Sequence, residues 1–108
     1  MVVRFSLDFT SSFSEAYLAY RTFAKENGAE LPLPGLNLTT DQLFWVSYAN
    51  AWCAKLRPEA LEEEVETGTH PPRMFRVLGV AQNSPYFSQA FNCAPGKKMN
   101  PVKKCTVW

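Results

Sequence analysis

Apolar side chains recur with helical spacing along most of the chain, and glycine and proline punctuate the intervals between these stretches. From Ser12 to Asn27 they fall at Phe13, Ala16, Tyr17, Tyr20 and Ala24, the spacing of one helix face. Glu15, Arg21, Lys25 and Glu26 lie off that stripe, and Gly28 follows it, where a left-handed residue commonly closes a helix. Leu31-Pro-Leu-Pro-Gly35 reads as an extended connector, because closely spaced prolines oppose both helix and sheet pairing. Thr39 or Thr40 is a natural N-cap, with Asp41 favourable against the dipole in the first turn. The helix behind it is expected to reach about Leu56. Leu43, Phe44, Trp45, Val46, Tyr48, Ala49, Ala51, Trp52 and Cys53 make it apolar on nearly every side. Such a helix is buried all round, and a chain of 108 residues can barely enclose it.

Arg57-Pro58 starts a short helix to about Val65, with proline at the tolerated first position. Beyond the Thr67 to Pro72 loop, Met74, Val77, Leu78 and Ala81 again share a face, so 72–82 reads as helix. Arg73 and Arg76 lie three apart on another face. Ser84-Pro85 is expected to cap a last helix through about Phe91, with Phe87, Ala90 and Phe91 inward. Ala94 to Trp108 reads as loop with a turn at Pro95-Gly96. Helical spacing dominates from Ser12 onward and no internal repeat is present, so the fold class is mostly α.

Composition agrees with a packed domain: 46% of residues are hydrophobic and 14% aromatic. A single domain of this length buries roughly 65% of its unfolded surface. The net charge is +1 and the charges are scattered, which argues against a nucleic-acid partner or a polybasic membrane surface. No stretch is apolar enough to span a membrane, and the opening residues are too interrupted for a signal peptide. Cys53, Cys93 and Cys105 are odd in number and form no CxxC pair, which is wrong for zinc or thioredoxin chemistry. They are either three buried free thiols or halves of disulfides whose partners lie outside the chain. Asn37-Leu38-Thr39 is an acceptor sequence for N-glycosylation and leans towards an extracellular setting.

The chemistry-bearing stretch is Thr67-Gly-Thr-His70-Pro-Pro-Arg-Met-Phe-Arg76, which holds the only histidine. One histidine cannot form a paired-histidine metal site, and the carboxylates from Glu62 to Glu66 have no i, i+4 histidines to share an ion with. There is no GxSxG and no phosphate-cradling glycine loop. On these residues alone, His70 fits a loop histidine, Arg76 a salt bridge to the preceding acidic helix, and Trp52 ordinary core packing.

A resemblance changes that reading. Glu15-Ala-Tyr-Leu-Ala-Tyr-Arg, Leu33-Pro-Gly-Leu, Gln42-Leu-Phe-Trp, Trp52-Cys-Ala and Arg57-Pro-Glu are followed by Thr69-His-Pro-Pro, Phe75-Arg-Val-Leu-Gly and Gln82-Asn-Ser. Phe87-Ser-Gln-Ala-Phe, Cys93, Met99-Asn-Pro and the terminal Cys105-Thr-Val-Trp complete the series. From Glu15 to Trp108 the chain closely resembles the C-terminal end of the neprilysin and endothelin-converting-enzyme family of zinc metalloendopeptidases. The resemblance implies the helical C-terminal part of a thermolysin-like (zincin) catalytic domain over 12–108, with 1–11 as a non-matching lead.

What the resemblance implies for the site is specific. His70 matches the histidine that donates to the oxyanion of the tetrahedral intermediate. Arg76 matches the arginine that hydrogen-bonds a substrate backbone carbonyl. Trp52, with Ala51 where relatives tend to carry valine, matches part of the hydrophobic pocket for the residue after the scissile bond. Cys53, Cys93 and Cys105 match positions that bridge to cysteines earlier in the polypeptide, and the family is membrane-anchored or secreted.

The departures concern the metal. No HExxH occurs, and ungapped counting puts Phe5 and Phe9 where the family carries its ligand glutamate and supporting aspartate, with Asp8 one residue off. The family's cofactor is Zn2+, but its ligands are absent here. The expectation is therefore a C-terminal segment of a peptidase that cleaves small peptides on the amino side of hydrophobic residues. It is inactive alone and dependent on the missing N-terminal part for its active site. The alternatives are a truncated, catalytically inactive paralogue that binds peptides or a partner, and an incomplete gene model.

Overall fold

The computed structural model describes residues 2–105, with side chains described from residue 12 onward. Five helices follow one another: α1 Val2–Asn27, α2 Thr40–Ala51, α3 Pro58–Thr67, α4 Arg73–Asn83 and α5 Pro85–Ala90. Among the described residues the only β-type pairing is an isolated bridge between Lys97 and Asn100. The mostly α class holds. Thr106 to Trp108, which complete the terminal motif, lie outside the described residues, as do the side chains of Phe5, Asp8 and Phe9.

The first helix starts at Val2 rather than Ser12. Residues 2–27 contain neither glycine nor proline, so nothing in the backbone interrupts the helix once formed. It closes at Gly28, whose φ of +89° is the left-handed conformation a side chain resists. The connector is extended only in part. Its end is a turn in which the Leu36 N–H donates to the Leu33 carbonyl at 3.1 Å and Gly35 takes φ +81°. Pro34 and Gly35 thus occupy the positions each favours in a type II turn.

The second helix opens on a reciprocal cap. The Gln42 N–H donates to Thr39 Oγ1 at 3.1 Å, and the Thr39 N–H donates to Gln42 Oε1 at 3.0 Å, satisfying two otherwise orphaned donors. It ends at Ala51, short of Leu56. There the Trp52 and Cys53 N–H groups donate three residues back, to Ala49 and Asn50, and this tightening terminates the helix. Nor is α2 buried all round: Trp45 alone is buried, whereas Val46, Ser47, Asn50 and Ala51 are exposed.

The core is an aromatic seam. Tyr17 of α1, Trp45 of α2 and Val80 of α4 are buried at its centre, with Phe13, Phe44, Tyr48, Tyr86 and Phe87 packed around them. Phe13 lies 4.8 Å from Trp45 and 4.0 Å from Tyr48 between ring centroids, so α1 lies across α2 through ring contacts. Ser84 sits between α4 and α5 without the expected side-chain cap. Its N–H instead closes α4 on the Val80 carbonyl at 3.0 Å. The coil from Ala94 is tied down by Asn100 Nδ2 on the Cys93 carbonyl at 2.8 Å and Lys104 Nζ on the Gln82 carbonyl at 2.6 Å. Gly96 bends it at φ +78°. Burial of the Lys104 ammonium lowers its pKa, an effect opposed by Cys93.

Candidate functional site

The turn between α3 and α4 is built by glycine and two prolines. Gly68 caps α3 through its N–H on the Glu64 carbonyl at 3.1 Å. A Cβ at Gly68 would lie 2.2 Å from that same carbonyl oxygen, so the close approach requires glycine. His70 and Pro71 each precede a proline, which disfavours helical backbone at both positions. The helix therefore begins at Arg73, with the Pro72 carbonyl accepting from the Phe75 N–H at 2.9 Å. His70 is exposed on the resulting bend, and Pro71 is buried beneath it.

Arg76 lies one turn into α4, and its side chain folds back towards this bend. Arg76 Nε donates to the Pro71 carbonyl at 2.7 Å. The guanidinium carbon stands 4.7 Å above the centroid of the Trp52 ring, a cation–π distance. Trp52 in turn meets Tyr48 at 6.5 Å in an edge-on arrangement, as residues four apart on a helix do. Tyr48 Oη donates to the Arg76 carbonyl at 3.3 Å. Burial raises the Tyr48 pKa, against opposing effects of Trp52 and Arg76.

The structure thus brings Arg76 and Trp52 into contact and joins Arg76 to the residue beside His70. Ala51 is exposed at the end of α2. An apolar depression of about 340 Å³ lies nearby, lined by Trp45, Val46, Tyr48, Ala49, Val77 and Phe87 among others, and neither Ala51 nor Trp52 lines it. Tyr48, Pro71 and Gly68 were not singled out by sequence reasoning. The double proline was the available signal for Pro71, and Tyr48 is indistinguishable from core in the apolar pattern.

Cys53 and Cys105 are exposed and Cys93 is partly exposed, which overturns the reading of three buried thiols. Asn37 is exposed in the coil before α2. Thr39, the third residue of its sequon, is the α2 cap. Among the described residues no group of three or more His, Cys, Asp or Glu could hold a metal ion. A zinc site does not fit the residues described. No helix of the described residues is long and apolar enough to cross a membrane.

A family profile, Peptidase family M13, matches residues 10–107. Endothelin-converting enzyme 1 of Bos taurus is 50% identical over 93 residues, 86% of this chain and 12% of its own length. Neprilysin-2 of Drosophila melanogaster is 49% identical and Neprilysin of Homo sapiens 47%, each over 94 residues, 87% of this chain and 12% of the relative. The chain belongs to peptidase family M13. It spans about 12% of the length of the curated relatives it matches.

Proposed function

We propose that this chain forms the C-terminal segment of an M13 zinc-dependent metalloendopeptidase that cleaves small peptides on the amino side of hydrophobic residues. In this reading His70 donates to the oxygen on which negative charge develops, and Arg76 hydrogen-bonds a substrate backbone carbonyl. Trp52 and Ala51 contribute to the pocket for the residue after the scissile bond. The observation that carries the reading is the folding back of Arg76 onto the Pro71 carbonyl and the Trp52 ring. That contact gathers the matched arginine and tryptophan at the foot of the His70 bend. A hydrogen-bond donor fixed where charge develops acts without reorganising, and this accounts for large rate effects.

In this reading zinc and the water it activates are held by residues outside this chain. The 108-residue polypeptide is therefore inert by itself in this reading. Cys53, Cys93 and Cys105 pair with cysteines outside the chain, in a secreted or membrane-anchored ectodomain; the exposure of Cys53 and Cys105 supports such pairing. Incubation of the isolated chain with a quenched fluorescent peptide and zinc tests the assignment. The expected result is no hydrolysis, and turnover with stoichiometric bound zinc overturns it. The large exposed apolar surface favours association with the remainder of a peptidase over an independent binding module.

A further inference from the structure

We infer that Tyr48 is a positioning residue for Arg76, an inference that rests on the substrate-binding role proposed for that arginine. Three contacts carry it. Tyr48 Oη donates to the Arg76 carbonyl at 3.3 Å, which ties α2 to the first turn of α4. The Tyr48 ring meets the Trp52 ring that lies under the Arg76 guanidinium. Phe13 of α1 packs on Tyr48 at 4.0 Å between centroids, so the ring cannot swing away without disturbing the core. Tyr48 thus holds both the backbone of Arg76 and the aromatic surface on which its side chain rests. Pro71 fixes the third side through Nε. The guanidinium is held by groups at the end of α2 and on the His70 bend together.

A residue acting in this way affects substrate binding only through Arg76. The test uses human neprilysin in which the matching segment is replaced by the residues of this chain, with a peptide substrate and kcat and KM measured separately. Tyr48→Phe removes one hydroxyl and retains the ring. It is expected to lower kcat/KM by about three- to tenfold, the worth of one typical hydrogen bond, mainly through a higher KM. In the Arg76→Ala background the same change is expected to alter kcat/KM by less than about twofold, because coupled residues are non-additive. An equal loss in both backgrounds marks Tyr48 as a merely structural residue and overturns the inference. So does a costly Arg76→Ala beside a neutral Tyr48→Phe, which leaves the role of Arg76 standing. If Arg76→Ala itself changes nothing, the substrate-binding role fails first and the positioning role falls with it.

Discussion

At the residue scale, the backbone around His70 is set by sterics and the side chain of Arg76 by electrostatics. Gly68→Ala puts a methyl group 2.2 Å from the Glu64 carbonyl oxygen, which backbone movement alone relieves. It should destabilise the fold by about 1–3 kcal/mol, as overpacking does, read as a lower urea midpoint; an unchanged midpoint shows that the turn is not held there. Two phenols, buried Tyr17 and partly buried Tyr48, add a pH dependence. Burial raises the pKa of Tyr17 and of Tyr48 above the ordinary tyrosine value of 10.0. The folded chain therefore keeps these protons to higher pH than the unfolded chain does. Their contribution is full below the ordinary value and is lost as pH climbs past it and through the raised ones. Urea midpoints should fall above about pH 10, and Tyr17→Phe should lessen that fall. His70 was legible as a presented residue because the two prolines that follow it restrict backbone choice. The return of Arg76 to Pro71 was not, since helical spacing gives a face and not the path of a long side chain.

At the element scale, the helices follow from apolar spacing and their limits from caps. All five were legible to within about two residues at one end at least, and α3, α4 and α5 at both, the expected reach of boundary reading. The start of α1 was missed because the apolar stripe, the signal used, begins later than the helix. The end of α2 was missed because apolar residues continue through Trp52 and Cys53 while the last turn tightens beneath them. The Thr39–Gln42 cap gives a direct check. Thr39→Ala should lower stability by about 1 kcal/mol and Thr39→Ser by much less, because serine restores the side-chain acceptor. Equal losses for both, measured by thermal unfolding, contradict the cap's contribution. The α1–α2 pairing is reinforced by Asp41, which accepts from Tyr17 Oη and Arg21 Nη1, each at 3.0 Å. The ion pair itself is largely exposed and therefore worth little alone.

At the scale of the whole molecule, the chain encloses too little. Its accessible surface is 8096 Å², against about 6,000 Å² for a compact protein of its mass. Its radius of gyration is 15.4 Å, against about 13 Å for a compact domain of its length. The excess approaches the area of a substantial protein–protein interface. Exposed Leu18, Phe23, Val46, Leu61, Val65 and Met74 account for it in part, and the buried Trp45 Nε1 has no hydrogen-bond partner. The apolar pattern of α2 led to an expectation of burial all round, whereas Val46 and Ala51 are exposed. Isolated chain should accordingly bind a hydrophobic dye and associate with rising concentration; a monodisperse, dye-silent monomer contradicts this. The central claim is that the His70 bend serves the transition state of peptide hydrolysis in a complete M13 enzyme. The direct measurement is kcat and KM for His70→Ala in human neprilysin carrying this segment. The account predicts a kcat lower by about a hundredfold or more with KM within about threefold, the signature of an interaction made in the transition state. An unchanged kcat, or equal losses in kcat and in substrate binding, contradicts it.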